Sequence, residues 1–180
     1  MTEVLLGVGA GIAAYKVAAL ASSLVQAGHG VRVAMTADAV KFVGAATFAG
    51  LSGRPVILAS TQIDPDGGVP HIEAARRAEV FVIAPATADL LARLAAGTAA
   101  DPVSLLALTC RCPLLVCPAM NDAMWTATAV QDNVAKLRRR GVHLLGPVTG
   151  HLAEGYDAIG RMVEPDAIQA AALQLAGEKS

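Results

Sequence analysis

A single-domain α/β fold, a parallel sheet between two helical layers, is what this sequence predicts, and three observations predict it. Short apolar runs alternate with helix-like stretches along the whole chain. The runs are apolar at consecutive positions, as strands buried on both faces must be. The first run ends in Gly9-Ala10-Gly11 and leads into a long Ala-rich stretch, the strand–turn–helix order of Rossmann-like three-layer folds. The length of 180 residues suits one domain over residues 1–180, and no linker or internal repeat divides it.

Taken in order, residues 4–8 read as a buried strand and residues 12–26 as a helix stopped by Gly28. Residues 31–35 form the second strand, with a helix over residues 38–51. Pro55-Val56-Ile57-Leu58 reads as a third strand. Residues 61–70 hold two prolines, two glycines and two aspartates and form a loop, after which His71 opens a helical stretch over residues 71–76. A strand at 80–84, a helix at 87–96 and a strand at 113–117 follow. Residues 128–140 make an amphipathic helix whose basic end suits its dipole. Residues 142–145 are the last strand, and a helix at 166–175 closes the chain.

Composition excludes some classes. Charged residues are only 16% against 54% hydrophobic, so part of the apolar surface is expected to be buried between subunits. The 14 basic and 15 acidic residues are nearly balanced, which gives no footprint for nucleic acid or an anionic membrane. No apolar run reaches transmembrane length and the start does not read as a signal segment, so a cytoplasmic location is expected. The three cysteines, Cys110, Cys112 and Cys117, suit reduced thiols and are not spaced as a zinc site, so no metal is expected.

The first loop has the form of a phosphate site. Glycines let the backbone approach an anion closely, and free N–H groups at a helix start point at it. A dinucleotide fingerprint requires a further glycine where Ile12 stands, and an acid at the end of the second strand, which instead reads Met35-Thr36 with Asp38 beyond. The pattern disfavours NAD and leaves a mononucleotide or an ordinary glycine turn. Pro118-Ala119-Met120-Asn121-Asp122-Ala123-Met124-Trp125 follows a predicted strand, at the sheet edge where such folds bind ligands. Met and Trp there also suit a core, and a lone histidine such as His71 also suits a helix cap.

Together these segments resemble the homo-oligomeric flavin-containing cysteine decarboxylases, from residue 4 to residue 162. That family includes phosphopantothenoylcysteine decarboxylase and the decarboxylases of C-terminal cysteines in ribosomal peptides. Gly9-Ala10-Gly11-Ile12-Ala13-Ala14-Tyr15-Lys16 is similar to its flavin-phosphate loop, and Met35-Thr36-Ala37-Asp38-Ala39 with Phe42 to the next flavin-contacting segment. Ala84-Pro85-Ala86-Thr87-Ala88-Asp89 is similar to a further flavin turn, where the family often has Asn in place of Asp89. His71-Ile72 matches the family's active-site histidine, and residues 118–125 match its Pro-X-Met-Asn-X-X-Met-Trp motif in full. The resemblance implies a flavodoxin-like fold, bound FMN, and trimers that stack as far as a dodecamer with FMN near a subunit boundary. It implies cofactor contacts from Gly9, Gly11, Ile12, Thr36, Phe42, Thr87, Ala88 and Asp89. Its catalytic residues are His71 and Asn121, and its substrate contacts are Asn121, Met124, Glu154, Arg161 and Met162.

One departure concerns a flexible substrate clamp expected at residues 148–163. The coenzyme A branch has an Ala-Cys-Gly core there, followed by Gly-Arg-Met. This chain keeps Gly160-Arg161-Met162 but has Glu154 at the cysteine position. In that branch the cysteine helps reduce the enethiol intermediate. The chemistry follows from the substrate: oxidation of the thiol to a thioaldehyde by FMN places a C=S group β to the carboxylate, ready to accept the electrons left by CO₂. His71 would act on the thiol, Asn121 would hold the carboxylate, and Met124 would shape the apolar wall. Glu154 therefore points to oxidative decarboxylation of a peptide's C-terminal cysteine to an aminoenethiol. The alternatives are a phosphopantothenoylcysteine decarboxylase with a divergent clamp, a flavin prenyltransferase relative, and a non-catalytic FMN-binding regulatory subunit.

Overall fold

The computed structural model describes residues 1–64 and 66–177. Pro65, one of the two prolines in the expected loop, and residues 178–180 lie outside the described residues. Five strands form a parallel sheet in the order β2-β1-β3-β4-β5: β1 (Glu3–Val8), β2 (Gly30–Met35), β3 (Val80–Ala86), β4 (Leu114–Pro118) and β5 (His143–Leu144). The alternating pattern predicts the parallel sheet, and this strand order is that of the flavodoxin-like fold the family resemblance implies.

The strands send alternate residues into two cores. Val4, Leu6 and Val8 of β1, with Val80 and Val82 of β3, pack under α1 (Ala14–Gln26), α2 (Ala45–Ser52) and, at the chain's end, a helix over Pro165–Gly177. Leu5, Phe81, Ile83 and Val116 point the other way. They meet α3 (Pro70–Arg77), α4 (Ala88–Ala96) and α5 (Pro102–Thr109), with α6 (Asp122–Thr126) leading into α7 (Thr128–Arg139), which completes that layer. The closing helix is α8. The period-two split is why the central strands read as unbroken apolar runs.

Four expectations are corrected. The helix expected over residues 38–51 is a single 3-10 turn at Ala39–Lys41 and the separate α2, because Gly44 adopts an extended conformation between them. Pro55-Val56-Ile57-Leu58 is not a strand: only Ile57 bridges, in parallel, to Ala34. Helix α5 has no counterpart among the predicted elements. It is apolar nearly all round, so it carries little helical periodicity, yet Asp101 caps it in a reciprocal box with Ser104, and Pro102 starts it. The chain does not end its strands at β5: β6 (Val148–His151) and β7 (Asp157–Arg161) form an antiparallel hairpin within the expected clamp.

Gly7 shows how tightly the layers close. A side chain there would meet Val103 of α5 at 2.8 Å and Phe81 at 2.9 Å. No helix among the described residues is long and apolar enough to cross a membrane.

Candidate active site

Three turns meet at the C-terminal edge of the sheet, and the β6–β7 hairpin folds over them. Between them lies a cavity of about 570 Å³. Gly11 and Ile12 come from the β1–α1 turn, Thr87 from the β3–α4 turn, Asn121 and Met124 from the β4–α6 turn, and Glu154, Arg161 and Met162 from the hairpin. Eight of the residues picked out in the sequence thus line one space.

The first turn is held by backbone packing. A Cβ on Gly9 would lie 2.1 Å from the carbonyl oxygen of Pro85, so the β1–α1 and β3–α4 turns touch through bare backbone. Gly11 is looser, with the nearest atom at 3.5 Å. The N–H groups of residues 10–13 meet no acceptor among the described residues, as expected at an open helix start. Thr36 ends β2 beside this turn, its N–H donating to Val8 at 3.1 Å. Its hydroxyl is buried and has no hydrogen-bond partner among the described residues. Thr87 caps α4 by accepting from the Leu90 N–H at 3.3 Å.

The β4–α6 turn fixes Asn121. Its Oδ1 accepts from the Ala123 N–H at 2.8 Å, capping α6, so the amide Nδ2 faces the hairpin. That Nδ2 donates to Glu154 Oε1 at 2.9 Å and to the Tyr156 hydroxyl at 3.1 Å. Tyr156 in turn donates to Asp122 Oδ1 at 2.6 Å, and this contact with a carboxylate pushes its phenol above the usual range. Beneath them, the Met120 N–H donates to the Gly160 carbonyl at 3.0 Å. Gly160 is the extra residue of a bulge, since Ile159 and Arg161 oppose the adjacent Thr149 and Val148.

The cationic side chains of the cavity wall are already paired. Lys16 reaches Glu164 Oε1 at 2.8 Å and Arg161 reaches the same oxygen at 2.7 Å. Hydrogen bonds from Lys16 first, then Arg161, hold the Glu164 carboxyl below its ordinary value.

Other expected residues stand apart from the cavity. Phe42 is 49% exposed on the 3-10 turn and does not line it. Ala88 packs against the inner cluster, and Asp89 turns outward to pair with Arg93 at 2.9 Å. His71, second residue of α3, is also outside the cavity; its Nδ1 is buried without a partner among the described residues. Cys117 is fully buried in the core under α1, and burial pushes its thiol up to about 12. Lys16, Tyr156 and Met120 belong to the site although their sequence carries no sign of it beyond motif membership.

This geometry is that of a flavin-binding α/β protein, and the chain belongs to the Flavoprotein family, which it matches over residues 1–177. It is 48% identical to the coenzyme A biosynthesis bifunctional protein CoaBC of Mycobacterium tuberculosis over 167 residues, 92% of this chain and 39% of that protein. The CoaBC protein of Vibrio cholerae is 43% identical over 165 residues. The chain thus spans about two fifths of these curated relatives. Among solved structures, a cysteine-to-serine variant of PPC decarboxylase complexed with pantothenoylaminoethenethiol superposes with TM-score 0.86 at 27% identity, covering 98% of both chains. The FMN-dependent cysteine decarboxylase SpaF superposes with TM-score 0.82 at 30% identity, also covering 98% of both.

The residues at the sheet edge fit FMN. The Thr36 hydroxyl, buried and unpartnered, and the free N–H groups of residues 10–13 are donors without protein acceptors, which a phosphate would supply. Ile12, 63% exposed, offers an apolar surface beside them.

Proposed function

We propose that this chain is an FMN-dependent cysteine decarboxylase and that its substrate is phosphopantothenoylcysteine. The observation that carries the substrate is the 48% identity to CoaBC over 92% of the chain, well above the 30% shared with SpaF. It displaces the peptide substrate that Glu154 pointed to. The intact Pro118–Trp125 segment and its placement at the cavity support decarboxylation over prenyl transfer or a purely regulatory role.

Bound at this edge, FMN would supply the two-electron oxidation of the substrate's CH₂–SH group to a thioaldehyde. The chain's own residues do the rest. Asn121, its carbonyl locked by Ala123, has neutral N–H donors on Nδ2 that the hairpin engages, and one of them turns to the substrate carboxylate when a hairpin group gives way. Neutral donors orient a carboxylate without stabilising it as a tight cation would, and the nearby Lys16 and Arg161 are neutralised by Glu164. The hairpin excludes water from above, with Leu152 and Met162 buried against the cavity. His71 would reach the substrate thiol from a neighbouring copy, in a trimer or a stack of trimers; the exposed Ile72 beside it and the exposed Phe42 suit such a contact. Cys117 takes no part, being sealed in the core, and Glu154 has no electrons to give, so for a loss of CO₂ alone the two electrons taken up by bound FMN would have to return from the reduced flavin to the enethiol, with protons from solvent.

The test is a product-mass assay with phosphopantothenoylcysteine and, separately, a Cys-terminated peptide. Consumption of the former with a loss of about 44 mass units is expected, CO₂ alone by formula. A loss of about 46 would mean that the product leaves as the enethiol. Conversion of the peptide with phosphopantothenoylcysteine untouched would overturn the substrate.

A further inference from the structure

Asn121 has two N–H bonds on Nδ2, and the hairpin takes both. One goes to the Glu154 carboxylate at 2.9 Å and the other to the Tyr156 hydroxyl at 3.1 Å. The Asn121 carbonyl is committed to the Ala123 N–H, so the amide cannot turn to offer another donor. A ligand carboxylate can bind Asn121 only by displacing one of these groups. Of the two, Glu154 is the chemical equivalent of the incoming group: an ionisable carboxyl on a short flexible stem, inside the same cavity.

We propose that Glu154 is a resident stand-in for the substrate carboxylate, holding the hairpin down on Asn121 until the substrate's own carboxylate takes its place. This rests on the reading of the cavity as a decarboxylase site and assigns Glu154 a role in substrate selection there.

The surroundings favour exchange over a permanent lock. Both cations of the cavity wall are engaged by Glu164, and Glu154 has no ion pair among the described residues. A carboxylate held by one neutral amide is a weak tether. Tyr156 is better held, since its hydroxyl also binds Asp122 at 2.6 Å. The hairpin can therefore stay docked through Tyr156 while Glu154 swings away. Once displaced, Glu154 leaves a negative charge near the bound carboxylate, which raises the cost of binding an acid more than that of binding a neutral ligand.

The experiment uses the FMN-loaded protein and two unreactive ligands, phosphopantothenoyl-alanine and its terminal carboxamide, with binding measured by calorimetry. Neither has a thiol to oxidise. Glu154→Ala should bind the acid roughly fivefold to tenfold more tightly than the parent protein, the equivalent of one ordinary net hydrogen bond. The carboxamide should gain less. Glu154→Gln, which keeps an acceptor but removes the charge, should fall between. Turnover of phosphopantothenoylcysteine and of the Cys-terminated peptide is measured in the same preparations. If only the peptide turns over, the substrate reading fails and the alanine-ended peptide and its carboxamide replace the ligands. Weaker or unchanged acid binding in Glu154→Ala, an equal gain for the carboxamide, or no acid binding by any form would overturn the proposal, whatever the turnover.

Discussion

Gly160 lies against the backbone of Met120 so closely that a Cβ there would sit 2.1 Å from the Met120 carbonyl oxygen. Its φ of +143° also belongs to a region that suits glycine. Gly160→Ala must shift either the hairpin or the β4–α6 turn, at a local cost on the order of 1–3 kcal/mol. The expected outcome is at least a tenfold rise in KM, about 1.4 kcal/mol or more, with FMN occupancy retained, read by steady-state kinetics and flavin absorbance.

Gly9 and Gly11 should separate fold from cofactor. Gly9→Ala drives a methyl into the Pro85 carbonyl and should lower thermal stability. Gly11 has room for a side chain, so Gly11→Asp should keep the apoprotein's melting temperature. It would nevertheless lose most of its flavin, because the new carboxylate faces the free N–H groups a phosphate needs. Normal flavin content in purified Gly11→Asp would show that this turn does not hold the phosphate.

His71 and Asn121 can be tested as partners in trans. His71→Asn and Asn121→Asp should each abolish turnover with FMN still bound. If His71 serves a neighbouring copy's cavity, refolding the two variants together should restore part of the activity, in subunit pairs that combine one intact His71 with one intact Asn121. No recovery in hetero-oligomers verified by mass would assign His71 to its own chain or to none.

Glu3 and Arg54 form a two-pronged ion pair at 2.6 and 3.1 Å on the opposite edge of the sheet. The Arg54 hydrogen bond holds the Glu3 carboxyl below its ordinary value. Its stabilisation is therefore complete above the ordinary carboxylate range and is lost as pH falls through the lower folded-state value. Glu3→Gln should cost about 0.5–1 kcal/mol at pH 7, modest because both side chains are partly exposed, and almost nothing near pH 2. Urea melts at the two pH values check this.

Cys117 should resist alkylation in the native protein, since its thiol is buried and pushed up to about 12. Iodoacetamide should reach it only on unfolding. Cys117→Ala should give a product of unchanged mass; a change would place that sulfur in the redox chemistry.

The fold was legible wherever period and punctuation agreed. The central strands stand out because both their faces are buried, and α4 because Thr87 caps it and Gly97 ends it in a left-handed turn. Helix α5 was hidden by its uniform apolarity, and the β6–β7 hairpin by its exposed, mixed residues. At the site, the motif positions Gly11, Thr87, Asn121 and Met124 do converge. Local sequence could not reveal that Lys16 is tied to Glu164 across 148 positions, or that Tyr156 meets Asp122, because such pairs arise only from folding.

The outer edge of β2 bears on how copies of this chain can assemble. Ile57 caps it with two backbone bonds, from its N–H to Val33 at 2.9 Å and to its carbonyl from Met35 at 3.0 Å. The opposite edge is a strand of only two residues. Neither margin offers a long row of unpaired amides onto which a second sheet could zip. Any contact between copies would therefore rest on side-chain surfaces rather than on extension of this sheet, and the same blunting guards a largely apolar chain against open-ended fibre growth.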